Sequence, residues 1–256
     1  MCQHKALGGL ALDSCSEVYL SAIDEERFGI RVARTTEVTL QILPSIIDFC
    51  KKNAVQLLIA RCSVFELRVA QAMEREGFLL MDTLVYYSRD LTKKPVPKDV
   101  GKAEWRPMRR GEEEKIRTVA AESFRGYLGH YYADERLDRA KCDEVYTSWT
   151  LRLCNSVEPT DSVLVAELDG SIVAFGAMRV NNTAEGEMVL AGVTPSARGK
   201  GIYNSLFING MKWCLSRELS RIVSSTQITN LASLKVWTRL GFELSHAYYT
   251  FHKWFD

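Results

Sequence analysis

The sequence has no excess of charge of either sign: 33 Lys and Arg stand against 32 Asp and Glu, a formal net charge of +1. No global field draws such a chain to nucleic acid or to an anionic membrane, so any anion it binds must be held by a local arrangement. Long hydrophobic runs are missing as well. The apolar stretch LGGLAL, Leu7–Leu12, is interrupted by glycines and followed by acidic residues. It reads as neither a signal peptide nor a membrane span, and the expectation is a cytoplasmic protein. The seven cysteines (Cys2, Cys15, Cys50, Cys62, Cys142, Cys154, Cys214) are odd in number and contain no C-x-x-C pair. That spacing argues against a disulfide framework or a thiolate zinc site and predicts reduced, mostly buried thiols.

What is present is 256 residues, 46% of them hydrophobic, enough to bury a sizeable core in one large or two small domains. The one break in composition is LTKKPVPKDVGK, Leu91–Lys102, where two prolines, four lysines and a glycine read as a linker. The expected division is 1–92 and 103–256. Before the linker, VQLLIA reads as a buried strand, Val64–Glu76 has helical apolar spacing, and GFLLMDTLVYYSRDL returns to strand character. Pro44 is expected to kink or split the helix-like run from Thr36 to Asn53. After the linker come a strand near Trp105, helices over about Glu112–Phe124 and Arg136–Cys154, and a hairpin turning on Asp169-Gly170. The strand EGEMVLAGV follows, then an amphipathic helix Ile202–Leu215 with Ile202, Leu206, Met211 and Cys214 inward. A strand SRIVSST, a helix Leu231–Leu240 and a strand FELSHAYYTFHKW complete the chain. The one hint of repetition is a strand, a helix and then "GF" opening a long strand, at Gly77-Phe78 and again at Gly241-Phe242.

Between the strand and the amphipathic helix lies VTPSARGKGIY, Val193–Tyr203. A Walker loop requires Ser or Thr after the lysine and an earlier glycine; Gly201 and Thr194 occupy those places. A dinucleotide fingerprint requires glycine at 204, where Asn204 stands, and an opening βαβ unit. The remaining reading is a diphosphate loop of acyl-CoA enzymes, whose glycines let successive backbone N–H groups face one anion at a helix N-terminus. Strand, V-x-P-x-x-R-G-K-G, long helix, strand, then N-x-A-S-L-K-V-W-x-R-L-G-F resembles the two central motifs of the GNAT N-acetyltransferase superfamily, over about Glu104–Phe255. AIDEERFGI, EREGFLLMDTLVYYSRDL, STQITN and HAYYTFHK are similar to nucleotide-sugar N-acyltransferases of that superfamily, among them TDP-fucosamine acetyltransferase. The resemblance implies an α+β GNAT fold, a mixed and mostly antiparallel sheet flanked by helices, preceded by a smaller, truncated GNAT-like α/β domain. It also implies acyl-CoA as co-substrate, no metal, and a TDP-linked dideoxyamino sugar as acceptor.

Acyl transfer from a thioester to an amine requires a held donor, a neutral amine, a stabilised oxyanion and a destination for the departing thiolate. By the resemblance, the donor carbonyl meets a backbone N–H near Ala191, Gly192 or Val193, and the diphosphate lies on the amides of Arg198, Gly199, Lys200, Gly201 and Ile202, with Tyr203 beside them. Asn230, with Ser233 and Trp237 on the same helix, matches positions at the pantetheine arm; Asn230 also reads as a helix N-cap. Glu187 stands where several superfamily members carry a catalytic glutamate, and equally reads as a solvated strand-end charge. His130 is the other candidate base, its ordinary pKa range suiting the task. The departure from the pattern is Trp237, since many members carry the thiolate's acid, a tyrosine, there, and indole is no practical acid. Tyr248 is then the candidate acid, with Tyr203 the other available phenol; a thiol of pKa near ~8.5 also leaves tolerably unaided. Trp237 reads either as a wall of the acyl pocket or as a core aromatic. Tyr127, His130, Tyr131 and Tyr132, with Gln227, are the candidate acceptor contacts, or GYLGHYY is an interdomain packing loop.

The partners expected are therefore acyl-CoA, an amino sugar and a second copy of the chain, with neither nucleic acid nor membrane. Two rivals stand beside this reading. One is a GNAT enzyme acting on an aminoglycoside, a polyamine or a protein N-terminus; the other is a non-catalytic acyl-CoA-binding module.

Overall fold

The computed structural model describes residues 18–158 and 161–256; Leu7–Leu12, Cys2 and Cys15 lie outside them. The elements in chain order are β1 (Tyr19–Leu20), α1 (Ala22–Phe28), β2 (Val32–Thr35), α2 (Leu43–Lys52), β3 (Leu57–Ser63), α3 (Leu67–Arg75) and β4 (Leu79–Asp90). Then follow β5 (Glu104–Pro107), α4 (Glu113–Phe124), α5 (His130–Ala133), α6 (Arg139–Cys154), β6 (Ser162–Leu168), β7 (Ser171–Val180) and β8 (Glu185–Val193). The chain closes with α7 (Ile202–Leu215), β9 (Arg221–Gln227), α8 (Leu231–Arg239) and β10 (Glu243–Trp254). Pro44 starts α2 instead of kinking it, because the first helical turn needs no N–H from that residue.

Two compact units emerge, and neither is a continuous stretch. The first takes the described residues up to Leu84, with Leu128–Asp138 and Ala247–Asp256; the second takes Val85–Tyr127 and Arg139–His246. The sequential division at the Leu91–Lys102 stretch is thus not the one the contacts draw. In the first unit β2 lies parallel to β3, and the carboxy-terminal part of β10 pairs antiparallel on the other side of β3, Tyr248 opposite Ser63 and Trp254 opposite Leu57. Its core joins Ile46, Cys50, Val69 and Met73 of the helices to Leu58, Ala60, Cys62 and Phe251 of the strands.

In the second unit β5, β6, β7 and β8 form an antiparallel meander, β9 is parallel to β8, and the last residues of β4 lie beyond β9. Strand alternation assigns the two faces. Phe175 and Ala177 join Ile116, Val119 and Leu153 of α4 and α6, while Gly176 between them meets α7 so closely that a Cβ would lie 2.5 Å from Leu206. The hairpin turns on Asp169 and Gly170 at φ 52° and 75°, as its sequence requires. Leu91–Lys102 is not loose. The Arg89 guanidinium donates to the Pro95 carbonyl at 2.8 Å, and the Asp99 carboxylate accepts from Ser205 at 2.6 Å and Asn209 at 2.8 Å, both on α7.

The repetition hinted at by the two GF pairs is real in the elements. The run β2-α2-β3-α3-β4 recurs as β8-α7-β9-α8-β10, with a parallel first pair of strands each time. Gly77 and Gly241 both sit at the left-handed turn, φ 78° and 79°, and Phe78 and Phe242 are buried behind them. The closing strands are exchanged: β10 supplies the strand beside β3, and β4 the strand beside β9. That exchange accounts for the division of β4 and of β10 between the two units, and Leu128–Asp138 joins the first unit separately.

Candidate active site

The Val193–Tyr203 turn resolves into a short 3-10 turn, Pro195–Ala197, then Gly199 and Gly201 in left-handed conformation at φ 76° and 77°. Only glycine adopts that φ twice in three residues without strain. The N–H of Arg198 bonds back to Pro195 O at 3.2 Å, and the first bond of α7 runs from Ser205 N–H to Gly201 O at 3.0 Å. Among the described residues no acceptor takes the N–H groups of Gly199, Lys200, Gly201, Ile202, Tyr203 or Asn204. A Cβ added at Gly199 or Gly201 would meet nothing within 4 Å, so the loop is open above these donors. A row of unclaimed N–H groups at the positive end of a 14-residue helix is a cradle for one multiply charged anion.

The strand leading into this loop carries a bulge. Ala177 faces Leu190 but Met178 faces Met188, so Val189 is an extra residue in β8. The bulge reverses which side chains face which layer: a Cβ at Gly186 would meet Cys214 of α7 at 2.6 Å, whereas one at Gly192 would meet Ser123 of α4 at 3.0 Å. Parallel pairing with β9 runs from Glu185↔Arg221 to Met188↔Ser224 and stops at the bulge, although the strands continue to Val193 and Gln227. At the vertex the Ser224 hydroxyl donates to Met188 O at 2.8 Å. Beyond it the strands part, and the β8 edge from Val189 to Val193 faces a slot able to take an extended amide chain.

On the β9 side of the slot the Tyr127 hydroxyl donates to Gln227 and shares a 3.0 Å hydrogen bond with Thr226. Asn230 donates to Thr226 at 2.9 Å and caps α8 by accepting Ser233 N–H at 3.3 Å. Its cap role is thus met, and its amide is held at the slot. Tyr203, in the first turn of α7, directs its phenol at the side chains of Ser233 and Trp237. Burial raises the pKa of that phenol, while Ser233 and Trp237 pull against the rise. Trp237 is 1% exposed and packs on Phe207 and Phe242. Glu187, half-buried on β8 one residue before the end of pairing, stands opposite Arg179 and Val223 in register.

Glu187, Ala191 to Val193, Arg198 to Tyr203, Tyr127, Gln227, Asn230, Ser233 and Trp237 all belong to the second unit. Tyr248, His130, Tyr131 and Tyr132 belong to the first. The GYLGHYY stretch is divided after Tyr127. Tyr131 is buried and donates to Asp24 at 2.7 Å, and Arg34 donates to both Tyr131 and Asp24. Burial alone would raise the Asp24 pKa, but the Arg34 charge and the donors around it lower it to about 2. His130 Nδ1 lies 2.9 Å from His252 Nε2, and His252 Nδ1 lies 2.6 Å from Asp134. Burial first, then His252, Arg61 and Arg34, hold the His130 pKa well below the usual histidine value. The His130 and Tyr131 side chains are thus engaged within their own unit.

Sequence reasoning missed the bulge at Val189, because one more residue in an apolar run leaves no trace in composition. It placed Tyr203 with the cofactor contacts and named Tyr248 and Tyr203 as the available phenols, beside unaided departure of the thiolate. The spacing of Ser233 and Trp237, four apart on one face of α8, was the signal that a side chain from α7 meets both. The five described cysteines outside the amino-terminal stretch are buried free thiols. Burial pushes the pKa of Cys50, Cys154 and Cys214 up to about 12. No helix among the described residues is long and apolar enough to cross a membrane.

Residues 116–242, which contain the loop, the slot and α8, match the acetyltransferase (GNAT) family, and the chain is a member of that superfamily. It is 25% identical over 148 residues to the spore coat polysaccharide biosynthesis protein SpsD of Bacillus subtilis, covering 58% of this chain and 50% of that one. It is 27% identical over 202 residues to mycothiol acetyltransferase of Acidothermus cellulolyticus, covering 69% of this chain and 56% of that protein. The chain thus spans about half the length of these curated relatives. The fold is shared with a GCN5-related N-acetyltransferase of Sphaerobacter thermophilus, with a TM-score of 0.64 at 14% identity over 93% of this chain and 76% of that one.

Proposed function

We propose that the protein is an acyl-CoA-dependent N-acyltransferase that transfers an acetyl or other short acyl group to the amino group of a TDP-linked dideoxyamino sugar. The observation that carries the donor half is the open row of N–H groups from Gly199 to Asn204 leading into the slot beside Val189–Val193. The diphosphate lies on the row, the pantetheine runs along the β8 edge, and the thioester carbonyl takes a backbone N–H at Ala191, Gly192 or Val193. Glu187 serves as the base that takes the amine's proton, directly or through water. The amine attacks the thioester carbon, the C–S bond breaks, and the sulfur leaves as thiolate.

The sugar acceptor is supported by the similarity to SpsD, a protein named for polysaccharide biosynthesis. Tyr127 and Gln227, joined at the mouth of the slot, are the acceptor contacts proposed on the second unit. A second reading is favoured by the mycothiol acetyltransferases, named for a different acceptor: an amine on a small molecule carrying no nucleotide. Release of free thiol from acetyl-CoA, measured across TDP-amino sugars, aminoglycosides, polyamines and peptide N-termini, tests both. Turnover confined to amines without a nucleotide removes the nucleotide-sugar assignment. Tight CoA binding with no turnover on any amine leaves a binding module.

A further inference from the structure

A chain of hydrogen bonds runs along the β9 side of the slot, and its direction is fixed from one end. The Ser233 N–H, in the first turn of α8, donates to the Asn230 side-chain oxygen at 3.3 Å. That leaves the Asn230 amide nitrogen to donate to Thr226 Oγ1 at 2.9 Å. The Thr226 hydroxyl turns its own hydrogen to the Tyr127 oxygen at 3.0 Å, and the Tyr127 O–H donates to Gln227 Oε1. Phe124 and Tyr146 meet the Tyr127 ring edge-on at 5.6 and 5.3 Å, which keeps its hydroxyl in place. Each member accepts on one side and donates on the other, so the chain carries polarity from the positive end of α8 outward to Gln227. It ends on Gln227 Nε2, whose two N–H donors no described residue accepts, although Gln227 is only 8% exposed. That nitrogen is not sealed inside the protein, unlike the indole nitrogen of Trp237.

Gln227 is also at the level where transfer is proposed to occur. The last paired residues of β8 and β9 are Met188 and Ser224. Along the strand direction Gln227 is therefore level with Ala191, or with Gly192 once the extra residue Val189 is counted, where the thioester carbonyl is proposed to sit. An amine attacking there arrives beside two polarised N–H groups with nothing to accept them. We propose that Gln227 selects the acceptor by the atom next to its amine: the site takes a primary amine whose neighbouring carbon carries a hydrogen-bond-accepting oxygen, and it rejects one carrying a second ammonium there. The proposal rests on the acyltransferase reading and narrows its acceptor class. A hydroxyl oxygen offers lone pairs to Nε2, whereas an ammonium brings donors only, to a chain that ends in donors only. An amino sugar with a hydroxyl beside its amine meets the requirement, and a polyamine does not.

Three acceptors on one sugar scaffold test this, carrying a hydroxyl, a hydrogen or a second amino group on the carbon beside the reacting amine. With the wild-type chain, kcat/KM should fall about 5- to 100-fold from the hydroxyl to the hydrogen, the effect of leaving one donor unpaired, and further for the second amine. Gln227→Glu keeps an oxygen for the Tyr127 O–H and replaces Nε2 by an acceptor, so the order should invert in favour of the second amine. Gln227→Met, of similar length but apolar, should bring the three within a few-fold of one another, with CoA affinity unchanged by calorimetry in both variants. The inversion is a result that a purely structural Gln227 does not produce. Wild-type discrimination retained in folded Gln227→Met, or turnover confined to polyamines, would overturn the proposal. An equal fall on all three acceptors would overturn it differently, by assigning Nε2 to the thioester oxygen they share. Turnover without discrimination leaves the acyltransferase reading and removes the proposal alone, while CoA binding with no turnover on any amine removes both.

Discussion

Substitution at Gly201 separates the strain of the loop from its use. At φ 77° with nothing within 4 Å of an added Cβ, alanine collides with no protein atom and pays only the left-handed penalty, about 1–2 kcal/mol. Asparagine tolerates that region and should cost a few tenths less than alanine, so Gly201→Asn is the variant expected to fold at nearly full stability. Both side chains project into the space above the open N–H groups of Gly199 to Asn204. If a diphosphate sits there, displacing it from one or two charge-assisted bonds of about 1.5–3 kcal/mol each weakens CoA roughly 10- to 10,000-fold. Calorimetry with CoA and with pantetheine, alongside urea unfolding, reads these effects apart: CoA affinity falls, pantetheine affinity does not, and the CoA loss shrinks as salt screens the anion. Wild-type CoA affinity in folded Gly201→Asn, or an equal loss for pantetheine, would refute the assignment of the loop to the diphosphate.

Glu187→Gln should lower turnover about 10²- to 10⁴-fold with unchanged CoA affinity, since a lost base affects the chemical step alone; an unaltered pH–rate profile would remove Glu187 from the mechanism. Gly192→Ala should destabilise the fold by about 1–3 kcal/mol in urea, because its Cβ would lie 2.7 Å from Phe175; wild-type stability would place that strand elsewhere. Asp24 has its pKa lowered from 3.8 to about 2, so it contributes stability above the unfolded value that is lost as pH falls through the folded one. That shift is worth at most about 2 kcal/mol. The loss of stability between about pH 4 and pH 2 should therefore be smaller by that amount in Asp24→Asn, and coincident pH slopes of the two proteins would show that the Arg34 partnership does not hold.

The carboxy-terminal elements were legible because their signals are local. EGEMVLAGV, Ile202–Leu215 and the Asp169-Gly170 turn each carry their own periodicity or turn chemistry, and β8, α7 and the hairpin follow them closely. Pro44 shows the limit of that approach: the sequence marks a boundary, and only packing decides that the helix begins there instead of bending. The linker was misleading for a related reason. Its prolines and lysines are real, but Arg89 and Asp99 tie it to its own unit through partners more than a hundred residues away. His130 and Tyr131 were unreadable as engaged side chains because their partners, His252, Asp24 and Arg34, are remote in sequence.

The two repeats also explain why the site arises where it does. In the first repeat β2 stays paired with β3 along its whole length, Val32↔Leu57 to Thr35↔Ala60, with no bulge to part them. The turn that follows spends its backbone: Val38 N–H bonds to Arg61 O at 2.9 Å, Leu43 N–H to Thr39 O at 3.1 Å, and Pro44 has no N–H to offer. Ile42 caps α2 in the right-handed conformation, so no glycine lifts successive amides toward one point. In the second repeat two local changes act together. One extra residue, Val189, ends the pairing of β8 with β9 and opens the slot, while Gly199 and Gly201 leave the donors beyond it unclaimed. Glycines in the first repeat's turn would free donors above strands that remain joined, and a bulge there alone would open a slot leading to spent amides. A donor-binding site of this form requires both, and among the described residues the two occur together in the second repeat.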